Sequence, residues 1–147
     1  MIVASSSGAP LPPTPVRHDM ARKYLHPQAV QLAGRIYGIC LLRNSDEAGF
    51  NHMVNVLTNG EASVRDLVIA TCQSDEFREK FLMNQSPNEM AREFYARFIG
   101  ISSPSAEDIK KYAIKILEQD WRDFISELFD SDEYMKKYGE DKLPGNR

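Results

Sequence analysis

Two cysteines and three histidines are the side chains best suited to metal binding, thiol chemistry or proton transfer. Cys40 and Cys72 are 32 residues apart, and neither has a second Cys or a His beside it to form a ligand pair. Both lie in apolar runs, IYGICLL and LVIATC, where a free thiol packs as a small hydrophobe. That setting predicts buried structural thiols, with a redox role as the alternative. His18, His26 and His52 show no H-x-x-x-H spacing, so a helical zinc-ligand pair is not expected. Neither a glycine-rich phosphate loop nor a G-x-S-x-G elbow occurs. The acids fall at helix starts or on solvent faces, where capping and the helix dipole account for them. The residue pattern predicts no catalytic, metal or cofactor site.

Partner binding is the remaining kind of chemistry. Lys110, Lys111 and Lys115 lie opposite Ile109 and Tyr112 on one helical stretch, either as a solvated face or as a docking strip for an acidic partner. Trp121 is the one tryptophan, a residue type that dominates interface energetics. Arg17, Arg22 and Lys23 against Asp19 give the N-terminal stretch a local charge of +2. Arg17, Arg22, Lys23, Lys110, Lys111 and Trp121 are therefore the candidate partner contacts. Over the chain, 18 Lys plus Arg stand against 21 Asp plus Glu, a net charge of -3. Nucleic-acid binders carry a basic excess, so that class is set aside. An apolar run of roughly 18 residues, the minimum for a membrane-spanning helix, is absent from the sequence. The start, MIVASSSGAPLPPTP, lacks the charged and apolar regions of a signal peptide, so an intracellular, reducing compartment is expected.

The elements that would position these residues are helical. A chain of 147 residues suits one domain. Residues 1–26 hold Pro10, Pro12, Pro13 and Pro15 after a Ser-Ser-Ser-Gly run, which favours an extended or disordered arm over a helix. Such an arm either hangs free or lies along a partner. Deleting it is expected to leave the rest folded. From Pro27 onward, apolar residues recur at three and four: Val30, Ala33, Tyr37, Cys40 and Leu41, then Phe50, Met53, Val54 and Leu57 behind a Ser45 cap. Ser63 to Asp66 and Ser86 to Glu89 read as capping boxes. Ser105 and Asp120 open further helices, the first bearing Ile109, Tyr112, Ala113, Ile116 and Leu117. Gly60, Gly100 and Gly139 supply stops. The prediction is an all-α domain over residues 27–147 with about six to eight helices.

Two similar helical units make up that domain. Setting residue n against n+57 places Ser74-Asp-Glu-Phe77 on Ser131-Asp-Glu-Tyr134 and Phe81 on Tyr138. The same offset pairs Ser63 with Asp120, Leu67 with Phe124, Tyr37 with Phe94 and Leu41 with Phe98. A two-residue shift between these stretches aligns Phe50, Met53 and Val54 with Ile109, Tyr112 and Ala113. Ser74, Phe77, Ser131, Tyr134, Tyr138 and Gly139 are read as an architectural motif, in which serine caps a short helix and an aromatic pins it to the core.

Leu57-Thr-Asn-Gly-Glu-Ala-Ser-Val-Arg-Asp-Leu-Val-Ile69, with Ser74-Asp-Glu-Phe-Arg78 after it, resembles the phycobilisome linker-polypeptide domain, whose members carry NGxxxVRDF before SxxFR. The run from Phe124 to Tyr134, then Tyr138-Gly-Glu-Asp141 and Pro144, is similar to the family's ending, FIDxLLxSxEYxxxFGxDxxP. The resemblance implies an all-helical, colourless scaffold that catalyses nothing and holds no covalent chromophore. Its implied partners are phycobiliproteins or other linker proteins in an oligomeric antenna, on the cytoplasmic or stromal face of the thylakoid membrane. Departures from the pattern include Asn84-Gln-Ser-Pro-Asn-Glu-Met90 in place of the family's NNYRFVEL run, Phe98-Ile-Gly-Ile101 in place of the LGR that ends that helix, and a negative net charge where many linkers are basic. The repeat also resembles a bacterial surface- and glycan-associated domain, which would make the chain a helical interaction module of another system.

Overall fold

Helix boundaries in this chain are set by side chains that satisfy free backbone groups. The computed structural model describes residues 23–145, which form α1 (His26–Leu41), α2 (Glu47–Thr58), α3 (Val64–Cys72), α4 (Asp75–Phe81), α5 (Pro87–Phe94), α6 (Ala106–Glu118), α7 (Trp121–Asp130) and α8 (Asp132–Lys137). A π-helical turn, Tyr95–Ile99, continues α5. Among the described residues there is no strand. The Pro-rich stretch, with Arg17 and Arg22, lies outside them.

Ser63 Oγ accepts from the Asp66 amide at 3.1 Å, and the Ser63 amide donates to Asp66 Oδ2 at 3.0 Å. Ser86 and Glu89 make the same reciprocal pair at 3.2 and 2.9 Å. Ser74 and Ser131 accept from the amides of Phe77 and Tyr134, both at 3.2 Å. The start of α2 departs from expectation. Its cap is Asp46, which accepts from the Gly49 amide at 2.8 Å, and not Ser45. The α1 stripe also differs, because Val30 is exposed while Ala29 and Ile36 are buried.

Four helices run in the same order twice, but the register between the units is not constant. Buried positions of α1 match those of α5 and the π turn at an offset of 58: Ala33 with Ala91, Ile36 with Phe94, Tyr37 with Tyr95, Leu41 with Ile99. The left-handed residues that end these helices agree, Leu42 (φ 54°) with Gly100 (φ 82°). The pairing of Tyr37 with Phe94 and Leu41 with Phe98 is thus one residue out, because likeness of aromatic type is a weaker guide than burial. One extra residue in the loop before α6 gives the offset of 59 between α2 and α6. A shorter link before α7 restores 57.

The units meet reciprocally at α3 and α7. Arg65 on α3 pairs with Asp130 at the end of α7 at 3.0 Å. Arg122, its counterpart on α7, donates to the Gln73 carbonyl, counterpart of Asp130, at 3.1 Å. Mutual contact of equivalent positions is the pattern of a two-fold relation. Around this joint the aromatic side chains form one cluster. Phe77 lies 5.1 Å from Phe81 in its own unit and 6.2 and 6.1 Å from Phe94 and Phe98 in the other. Tyr134 packs edge-on to Phe129 at 4.8 Å, and Tyr138 donates to the Ile99 carbonyl at 3.3 Å. Gly139 follows with φ 60°, a left-handed turn that glycine adopts without strain.

Charged side chains close the helix ends. Leu42 carries the left-handed geometry without being glycine, at a cost of roughly 1 kcal/mol. The carbonyls there are not left bare. Arg97 from the second unit donates to those of Ile39 and Cys40 at 2.6 and 2.9 Å, and Lys80 to that of Leu41 at 3.3 Å. Glu76, 3% exposed, takes two hydrogen bonds from Arg43 at 2.7 and 2.9 Å and an ion pair from Lys80 at 2.9 Å. Burial pushes the Glu76 carboxyl upward, but the hydrogen bonds from Arg43 and Lys80 outweigh it, leaving its pKa below the ordinary 4.5.

The arm boundary placed at residue 26 falls inside packed structure. Tyr24 is 4% exposed, donates its amide to the Leu57 carbonyl at 3.1 Å and its hydroxyl to Asp141, and accepts from the Val64 amide at 3.4 Å. It ties α2 and α3 to the tail that follows α8. Deleting residues 1–26 is therefore expected to lower the melting temperature, contrary to the expectation from composition, and Tyr24→Ala alone should reproduce most of that loss.

Phe77→Ala and Tyr134→Ala are each expected to cost about 3 kcal/mol in urea unfolding, as large-to-small changes in a packed core. Melting like the parent would remove both from the core. A second expectation concerns acid. Because the folded pKa of Glu76 is depressed, its contribution is present above the unfolded value and is lost as pH falls through the folded one. Glu76→Gln should cost about 3 kcal/mol at neutral pH and much less in acid, once the pH has fallen through the depressed folded pKa. An equal loss at both pH values would contradict this.

Candidate protein-docking surface

The break between α6 and α7 brings the one tryptophan to the surface, half-buried against the core. Gln119 is extended (φ −141°, ψ 167°), Asp120 caps the next helix by accepting from the Arg122 amide at 3.0 Å, and Trp121 becomes the first residue of α7. Across from it, α4 ends at Phe81 with Leu82 as its cap, and the chain turns through Met83 before Ser86 and Pro87 restart it. The result is a surface groove of about 370 Å³. Leu82, Met90 and Ile116 line it together with Met83 and Trp121, and its polar lining is Arg78 and Gln119. Met83 is 57% exposed, and outside the groove α6 exposes Leu117 (72%) and Ile114. Leu117, read from the sequence as part of the buried stripe, faces solvent.

Arg78 is the only charged residue in the groove lining, and among the described residues it has no ion-pair partner. The other arginine at the rim is engaged. Arg122 stacks 4.4 Å over the indole of Trp121 and is held by Asp75 at 3.0 Å and the Gln73 carbonyl at 3.1 Å. The indole is thereby fixed from one side by a cation that is itself anchored to α4.

The basic strip read on α6 is divided. Lys110 and Lys111 are both exposed, but they line different clefts. Lys110 sits with Asn88, Arg92 and Pro104. Lys111 sits with Lys115, Glu127 and Glu133. Lys115 pairs with Glu127, and this hydrogen bond holds the Glu127 carboxyl below its ordinary range. Neither lysine joins Trp121 in the groove. Lys23 is exposed beside the buried Tyr24, and Arg17 and Arg22 lie outside the described residues. Met83, Met90 and Arg78 were missed by sequence reading. Their signal was weak: two methionines either side of a Ser-Pro helix start, which reads as ordinary amphipathic spacing.

Both thiols are sequestered. Cys40 and Cys72 are both fully buried. Burial, then contact with the Cys40 thiol, raises the pKa of Cys72, so the thiol stays protonated and unreactive. Among the described residues no cluster of His, Cys, Asp and Glu is arranged to hold a metal ion. No described helix is long and apolar enough to cross a membrane.

Comparison with known proteins fits this picture of a helical body with surface contacts. The family model for the phycobilisome linker polypeptide matches residues 37–147. A phycobilisome rod-core linker polypeptide of Thermosynechococcus vestitus is 27% identical over 96 residues, covering 65% of this chain and 39% of the relative. A phycocyanin-associated rod linker polypeptide of Synechocystis sp. is 31% identical over 91 residues, covering 61% and 31%. The phycobiliprotein ApcE of a Nostoc species is 32% identical over 89 residues, covering 60% and 8%. The chain thus spans less than two-fifths of the length of these curated relatives. The matched region begins within α1 and takes in every later helix and both halves of the aromatic core. The chain belongs to the phycobilisome linker polypeptide family.

Proposed function

We propose that this chain is a colourless structural linker that docks to phycobiliproteins in a light-harvesting antenna and is not an enzyme. The observation that carries the reading is the extent of the family match, residues 37–147, which coincides with nearly the whole packed body. Two features support the colourless, non-catalytic part. A thioether-linked pigment needs an accessible thiol, and both cysteines of the sequence are fully buried. The buried polar network of Arg43, Glu76 and Lys80 is consumed in holding helix ends.

Docking uses the exposed groups on the second unit. Trp121 supplies apolar contact area. Lys110 with the neighbouring Arg92, and Lys111 nearby, supply positive charge within a chain of net charge -3. Lys23, Arg17 and Arg22 are further candidate contacts on charge alone. Assembly of this kind places the protein with the antenna at the thylakoid surface.

Mixing the protein with purified phycobiliprotein at low salt should give co-sedimentation and a shift in bilin absorption. No association under these conditions would refute the linker reading. The double change Lys110→Glu with Lys111→Glu should weaken binding by about tenfold at low salt and by less at high salt, where surface charges are screened. An unchanged affinity would remove these lysines from the interface.

A further inference from the structure

The groove beside Trp121 combines two properties that a solvated surface does not need together. Its apolar lining includes Met83, 57% exposed, with Met90 and Trp121 alongside. Its one charge, Arg78, is unmatched by any carboxylate in the lining. Elsewhere in the molecule Arg43, Arg65, Arg97 and Arg122 each face an acid at 2.7 to 3.5 Å. Arg35 and Arg92 also have no ion-pair partner among the described residues, but of these three only Arg78 lines this apolar groove.

We propose that this groove receives an acidic amphipathic helix of the phycobiliprotein partner, its apolar side chains on Met83, Met90 and Trp121 and one of its carboxylates on Arg78. The proposal rests on the linker reading and assigns that reading a surface and a partner chemistry. Methionine side chains repack to suit the residues presented to them, an anchored tryptophan makes a strong interface centre, and an apolar cleft is the usual seat for a helix face. A carboxylate meeting a guanidinium at the edge of such a cleft forms a charge-assisted pair that fixes register. Charge complementarity selects against the chain's own N-terminal segment. Residues 1–22 carry Arg17 and Arg22 against the single acid Asp19, so they bring no surplus negative charge to Arg78.

Oxidative footprinting of the full chain tests this, with Met53, 1% exposed, as the internal buried reference. In the free protein, Met83 and Trp121 should oxidise many times faster than Met53 at every concentration. Adding purified phycobiliprotein should slow both several-fold. Arg78→Glu and Met83→Glu, each checked for parental helicity, should weaken binding by about tenfold, while Asn55→Glu on α2 should not. Protection of Met83 and Trp121 in dilute free protein would show the chain's own segment in the groove and overturn the proposal. Protection that appears only as the free protein is concentrated would show a second copy there, with the same consequence. If the parent binds and both groove variants bind equally well, the groove assignment fails while the linker reading stands. If the parent does not bind at all, both fall.

Discussion

The packing of Phe77 against Phe94 and Phe98 is the contact on which the rest of the molecule depends. Each four-helix unit is amphipathic and leaves one apolar face uncovered, so neither closes a core alone. Phe77 from the first unit enters the aromatic cluster of the second. Arg97 lies over Phe81, Phe98 and Phe77 at 4.3, 5.0 and 5.6 Å while donating to the last carbonyls of α1. One side chain thereby covers the aromatic seam and caps a helix of the opposite unit. This explains how α1 ends on a left-handed leucine where its counterpart ends on glycine: hydrogen bonds across the joint offset the strain.

Much of this architecture was legible because it is local. Ser63, Ser74, Ser86, Ser105 and Ser131 announce helix starts through hydrogen bonds spanning three residues, and the repeat shows in those same caps. What was hidden depends on distant partners. Tyr24 reads as the end of a proline-rich arm, yet its environment is made by Leu57, Val64 and Asp141, residues up to 117 positions away. Asp46 displaces Ser45 as a cap although both residue types suit that role. The approach of Cys72 to Cys40 could not be read across a separation of 32 residues.

The candidate docking surface was legible only in part, for a related reason. Trp121 stood out by type, and Lys110 and Lys111 by charge. Periodicity placed Leu117 in the core stripe, where Ile109, Tyr112 and Ile116 do face inward or half-inward. The groove itself arises from the juxtaposition of the α4 end, α5, the α6 end and the first residue of α7, and no single segment encodes it. A rigid joint between units matters here because the groove lies across it: Arg78, Leu82 and Met83 come from the first unit and its exit, Met90, Ile116 and Trp121 from the second. Loosening the Phe77 seam would alter the shape offered to a partner as well as the stability.

A three-dimensional reconstruction of the protein bound to a phycobiliprotein ring is the most direct test of a scaffold that acts through a preformed surface. The account predicts one defined position, with the groove around Trp121 turned toward the ring, the two helical units in the arrangement described above, and no pigment density on this chain. A groove facing solvent in a well-ordered complex, or two units separated from one another on the ring, would contradict it.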